Sequence, residues 1–375
     1  MRVALVFIMT ILVLAFGFGP TLAQAGDILL IAIHMFDART GTAVSLQEAR
    51  VGMESVVRTT DGGIHWRTIT PHTLPGQPVW QPLFEVYWLT SNIGWVSAPV
   101  ITRTHDTALL FHTTDGGQTW QSVTLSLWKD PAPFFGPFLL VDFINPREGW
   151  TLAGNDVYHS TDSGTTWTKI ASIRFVGQGP EVITFLNSTT GWVATGSPGL
   201  GSNGLLYVTR DGGYTWKQQE LPLPRLATLG TFNLSPTPPM FFTSHDGILP
   251  VVSFPEDIVF YLTHDGGATW APTTPPFPLP ATQRPGPGWY RSATFSDANH
   301  GWVTDLPGDT LYVTSDGGRH WTTIRPGAPF DHVAALDFIS PRVGWATGQM
   351  DFGPLLLKTV DGGLTWESIP FTISP

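Results

Sequence analysis

The sequence predicts an all-β chain, a seven-bladed β-propeller with four antiparallel strands per blade. Three observations carry this. The phrase S/T-x-D-x-G-x-x-W recurs seven times, with its aspartate at Asp61, Asp115, Asp162, Asp211, Asp265, Asp316 and Asp361. Successive aspartates lie 54, 47, 49, 54, 51 and 45 residues apart, the size of one four-stranded blade. Forty Gly and 33 Pro beside only 13% charged residues fit strands joined by tight turns and not a helical chain.

Residues 1–25 read as a signal peptide: Arg2, an apolar run from Val3 to Phe18, then Ala23-Gln24-Ala25 before Gly26. The run falls short of the ~20 residues of a spanning helix, and left uncleaved it becomes an N-terminal membrane anchor. Residues 26–375 form one domain of seven units, with approximate limits 26–70, 71–125, 126–172, 173–221, 222–275, 276–326 and 327–375.

Within a unit, strand A ends on a bulky residue six positions before a glycine, as in Phe143 to Gly149, Phe185 to Gly191 and Phe338 to Gly344. Met35, Trp88, Phe241 and Phe295 hold that place before Gly41, Gly94, Gly247 and Gly301. Strand B starts at the glycine and usually continues with tryptophan (Trp95, Trp150, Trp192, Trp302, Trp345); Thr42 and Ile248 replace it in blades 1 and 5. Strand C is written in runs such as Leu109 to Phe111 and Leu205 to Val208. The repeated Asp-Gly-Gly is the C to D turn, where glycine takes positive φ without steric cost and the aspartate caps the backbone amides of its own turn. Ser163 replaces the first glycine in blade 3, so the second glycine is expected to be the more constrained. The tryptophan that closes the phrase covers the turn and opens strand D.

Cysteine is absent, which excludes disulfides, thiolate metal sites, a cysteine nucleophile and a lipid-bearing cysteine. A net charge of −10 argues against nucleic acid as a partner, because phosphate neutralisation needs a basic face. The histidines show no metal-ligand spacing, and neither metal nor cofactor is expected.

The repeated phrase is identified as the Asp-box (BNR repeat) of sialidases, some endoglucanases and sortilin receptors. Paired with Phe-x5-Gly-Trp, as in Phe185 to Gly191-Trp192 followed by Leu206 to Trp216, it resembles the photosystem II stability and assembly factor family over residues 26–375. That resemblance implies an exported, non-catalytic scaffold that holds a membrane-protein client; the chain is further expected to be a monomer with a WD40/YVTN-like repeat architecture.

A to B and C to D turns share one face of a propeller, so the Asp-boxes lie opposite the connectors between blades. Those connectors carry Trp80, Trp128, Lys129, Arg174, Arg225, Arg284, Trp289, Tyr290, Arg291 and Arg325, a candidate basic and aromatic rim for an acidic protein segment or an anionic glycan. The rival reading is a glycan-binding or sialidase-like glycoside-hydrolase propeller. It lacks a convergent constellation: Ile324-Arg325-Pro326 scrambles the sialidase arginine signature, and no catalytic residue is nominated. Asp142 and Asp337, each one residue before a strand-A phenylalanine, are expected to be structural, as are the seven Asp-box aspartates. Blade 1 reads A to D from its start and blade 7 to its end, so ring closure is expected to rest on packing between them, with Phe371 to Pro375 as the one tail left to assist.

Overall fold

A computed structural model describes residues 3–6, 28–47, 54–71, 85–101, 106–127, 139–175, 180–195, 204–222, 233–254, 257–273, 290–305, 308–330, 333–350 and 353–374. Seven antiparallel four-stranded sheets follow one another along the chain, each written A to D as the repeat predicts. Blade 3 is typical: Leu140–Phe143, Gly149–Ala153, Asp156–Ser160 and Thr168–Ser172 pair in sequence order. Blade 5 departs locally, because its strand A is broken into Asn233–Pro236 and Met240–Phe241, which pair in turn with Gly247–Phe254.

The residue six before each glycine stands directly opposite it across the A to B hairpin, as Phe143 opposite Gly149. A Cβ at any of the seven glycines would come under 3.0 Å from the ring or sulfur facing it. The pair is therefore a single packing unit: the bulky side chain lies flat over the backbone of its partner strand, and glycine alone leaves it room.

The core is not central. Seven apolar clusters each join one blade to the next, and the cluster between blades 7 and 1 contains Ile33, Met35, Trp66, Trp345 and Leu356. The strand-B tryptophan drives this packing. Trp95 stacks on Phe143, Trp150 on Phe185 and Trp302 on Phe338, with centroids 3.7–3.8 Å apart and rings within 10° of parallel. Each such pair contributes about 0.5–1.5 kcal/mol beyond the area it buries.

Ring closure has a component that packing alone did not predict. Thr372–Ser374 adds to blade 1 as a fifth strand, parallel to His65–Thr68 on the outer edge. Thr372 donates its N–H to the Ile64 carbonyl at 3.1 Å, while Phe371 and Ile373 join the cluster between blades 7 and 1. Blade 2 also gains a fifth strand, at its inner edge, where Val3–Val6 runs antiparallel to Glu85–Trp88. That strand lies inside the segment assigned above to a signal peptide.

Candidate functional site

The Asp-boxes are built from the buried hydroxyl outward. In blade 2, Thr113 accepts the N–H of Gly117 at 2.9 Å and donates to Asp115 Oδ1 at 2.8 Å; the same Oδ1 accepts the N–H of Thr119 at 2.9 Å. All seven boxes repeat this hydroxyl-to-glycine-amide bond, with Ser160 serving in blade 3. Each turn is also tied to its A to B neighbour: the residue after every box aspartate donates its N–H to an A to B turn carbonyl, as Gly116 to Asn92 at 2.9 Å. Both turns therefore share one face.

Every box aspartate is held below the usual carboxylate range. For Asp115 and Asp265 the value falls to about 2, chiefly because the Thr119 and Thr269 hydroxyls donate to the carboxylates, with the backbone amides of the same residues adding to the effect. These groups are ionised and fully occupied with their own turns. Ser163 takes φ 65°, and its hydroxyl donates to the Pro146 carbonyl at 2.8 Å. At the following Gly164 (φ 86°) a Cβ would strike Leu110 and Phe143, so the second glycine is constrained by packing as well as by backbone.

The histidines beside the boxes divide by role. His65 and His320 take the place of the capping threonine, with Nδ1 at 2.7 and 2.5 Å from the box aspartate. His112 stacks on Trp95 and His159 on Trp150, with burial lowering the pKa of His112. Each of these two rings lies directly across the hairpin from the strand-B tryptophan of its own blade, His112 from Trp95 and His159 from Trp150.

Neighbouring blades are keyed together at the same turns. The indoles of Trp95, Trp150, Trp302 and Trp345 donate to the carbonyls of Ser163, Gly212, Gly362 and Gly62 in the next blade, at 2.8–3.0 Å. Arg210 lies over Trp192 and donates to Gly266 and Gly267. Arg58 does the same work where Thr42 replaces the tryptophan, with its guanidinium against Gly116 and a 2.6 Å bond to the Ser91 carbonyl. Blade 5 supplies Ile248 and Leu262 at these places, and an open groove of about 210 Å³ lies there between blades 5 and 6.

Carboxylates on the inner strands act as struts. Glu85 Oε2 accepts the Val141 N–H at 2.6 Å, Asp142 the Phe185 N–H at 2.5 Å and Asp337 the Met35 N–H at 2.5 Å, each reaching into the next blade. Burial pushes the Glu85 carboxyl well up, and the nearby Asp142 charge pushes it further, against the Val141 amide. Asp142 and Asp337 thus have the structural role expected of them. Among the described residues no group of His, Asp and Glu is arranged to hold a metal.

Of the connector residues, Arg174 and Arg325 are described and exposed. Tyr290 and Arg291 fall in the first strand of blade 6, Tyr290–Phe295, at the connector end. Trp80, Trp128, Lys129, Arg225, Arg284 and Trp289 lie outside the described residues.

A family model of the photosystem II assembly factor Ycf48 matches residues 104–220. A solved YCF48 bound to a D1 peptide superposes with a TM-score of 0.55 at 18% identity, covering 92% of this chain and 98% of that one. The chain is a seven-bladed Asp-box propeller resembling the photosystem II assembly-factor family. The photosystem II assembly lipoprotein Ycf48 of Synechococcus sp. (strain CC9902) is 32% identical over 111 residues, which are 29% of this chain and 30% of that protein. The aligned stretch is thus under a third of that relative's length. A GH74 xyloglucanase from Xanthomonas campestris shares the fold, with a TM-score of 0.59 at 16% identity, over 92% of this Asp-box propeller and 55% of the enzyme. Among the described residues no helix is long and apolar enough to cross a membrane.

Proposed function

We propose that this propeller is a non-catalytic, extracytoplasmic scaffold that binds a protein partner through its connector face. The observation that carries the reading is the occupation of the polar machinery by the fold. All seven box aspartates and the carboxylates of Glu85, Asp142 and Asp337 are bonded within or between blades, so the candidates for recognition are the connectors. Exposed Arg174 and Arg325 start two of those connectors, and in the sequence Arg284 belongs to a third, which leads to Arg291. An acidic segment of a membrane-protein client suits such a rim, and the solved YCF48 carries a peptide partner. Export rests on the signal-peptide pattern of residues 1–25.

The test is affinity capture from an envelope extract with the wild type and with Arg284→Glu/Arg291→Glu. Charge reversal is expected to reduce recovery of the principal partner at least about tenfold, the scale of removing an interfacial charge pair. Equal recovery would refute the connector-face assignment. The GH74 likeness supports a second reading, a glycan-binding propeller. Saturable binding on a glycan array, retained when protein capture fails, would favour it.

A further inference from the structure

Strand A is the inner strand of its blade, and half of its backbone groups point away from the A to B hairpin, toward the central channel. In blade 2, Leu89 donates its N–H to the Ile93 carbonyl, which makes these two a bonded pair. Bonded and unbonded pairs alternate along an antiparallel ladder, so Tyr87 and Glu85 bond to Trp95 and Ser97, whereas Val86 and Trp88 turn their N–H and C=O groups to the channel. At other boundaries the preceding blade caps such amides. Asp142 takes the N–H of Phe185, Asp337 that of Met35, Glu85 that of Val141 and Ser292 Oγ that of Leu336. Blade 1 sends blade 2 neither acceptor. Ala32 holds the place of Glu85 and Ser292, and His34 holds the place of Asp142 and Asp337, with its Nδ1 turned back on Asp337 at 3.6 Å. The strand Val3–Val6 fills that gap, pairing Leu5 with Val86 and Val3 with Trp88. Met240 gives blade 6 no carboxylate either, but among the described residues blade 2 alone carries a strand inside its strand A.

We propose that the inner edge of blade 2 is an acceptor site for an extended segment of the protein partner, filled by the chain's own residues 3–6 until a leader at 1–25 is cleaved. The inference rests on the reading of the chain as an exported binder of a protein client. What is seated there defines the occupant. Glu85 and Tyr87 reach into blade 3, Val86 and Trp88 pack between blades 1 and 2, and none of the four is more than 2% exposed. The edge therefore offers backbone groups only, the N–H and C=O of Val86 and of Trp88, and an antiparallel strand satisfies them together. Val-Ala-Leu-Val is the segment that does so in the full chain. The partner's segment is accordingly extended, apolar over four residues and free of proline at the two places that donate. Its site is the channel and not the connector face, so the reversal of Arg284 and Arg291 and the test of this edge can fail separately.

The probe is a fluorescein-labelled peptide amide of residues 2–7, followed by anisotropy on the full chain. Val3→Pro/Leu5→Pro removes both donors of the chain's own strand and empties the edge. This variant should bind the peptide saturably with a Kd below about 1 mM, and the wild type, whose edge is filled, at least about tenfold more weakly. N-methylation of the peptide at Val3 and Leu5 should abolish the binding. N-methylation at Ala4 and Val6, whose N–H groups point away from the edge, should leave it within about threefold. Ala32→Glu added to the variant gives Val86 the carboxylate that Glu85 gives Val141, and should weaken binding at least about tenfold. Arg174→Glu, on the connector face, should change nothing. Absence of saturable binding, or equal losses from the two methylation patterns, would overturn the site. Binding to the wild type as tight as to the variant would overturn its filling by residues 3–6. If Ala32→Glu does not fold, the pair of methylated peptides decides.

Discussion

Glu85 shows how a single buried group can govern the response to pH. Its carboxyl is displaced upward by burial, so the folded chain binds a proton that the unfolded chain releases at an ordinary glutamate pKa. The stability it contributes is fully present below the unfolded value and is lost as pH rises toward the folded one. Glu85→Gln keeps an acceptor for the Val141 amide and removes the titration. The stability difference between variant and wild type is therefore expected to grow in the variant's favour by about 1.4 kcal/mol per pH unit between the two pKa values, measured by urea unfolding at successive pH values. A difference that stays flat from pH 5 to 8 would mean that Glu85 is ionised throughout. The box aspartates act in the opposite sense. Held low by hydroxyl and amide donors, they stabilise the fold above the ordinary aspartate value and lose that contribution as pH falls through about 2 at Asp115 and Asp265.

The Asp-box as an element depends on two kinds of hydroxyl. Thr113 is buried and holds the Gly117 amide, whereas Thr119 is exposed and bonds Asp115 Oδ2 at 2.6 Å. Thr113→Val leaves a buried N–H without its acceptor and should cost about 1–3 kcal/mol. Thr119→Val should cost less and raise the Asp115 pKa, read by carboxyl carbon NMR; equal costs would remove the distinction. Here the sequence was informative in one respect and silent in another. Spacing marked the aspartate, the glycines and the tryptophan, because turn geometry and aromatic bulk are written in residue type. The reason for Ser or Thr at the first position came only with the structure, since its two partners lie two and four residues on and are defined by the folded turn. The six-residue offset from bulky side chain to glycine was equally visible, but its cause, a ring lying across the opposite backbone, needed the pairing of strands A and B.

For the whole molecule, the decisive junction is the one between blade 7 and blade 1. Asp337 to Met35, Trp345 to Gly62 and Ser374 to Trp66 join residues 302, 283 and 308 positions apart. Deleting residues 372–375 removes the parallel strand and the burial of Ile373, and should lower stability by about 2 kcal/mol in chemical denaturation. An unchanged unfolding midpoint would show that the junction holds without the strand. Other junctions bridge far shorter spans, 56 residues from Glu85 to Val141 and 43 from Asp142 to Phe185. Against a span near 55, a loop of three hundred residues adds only about 1.5 kcal/mol of closure entropy, because that cost rises with the logarithm of length. Its effect falls on rate. Six junctions can form in order as the chain emerges, but the seventh must wait for blade 7, and a chain arrested before residue 372 leaves the outer edge of blade 1 without its fifth strand, open to proteases and to other chains. Contact order, more than net stability, makes the closing of this ring the slow and exposed step of its folding.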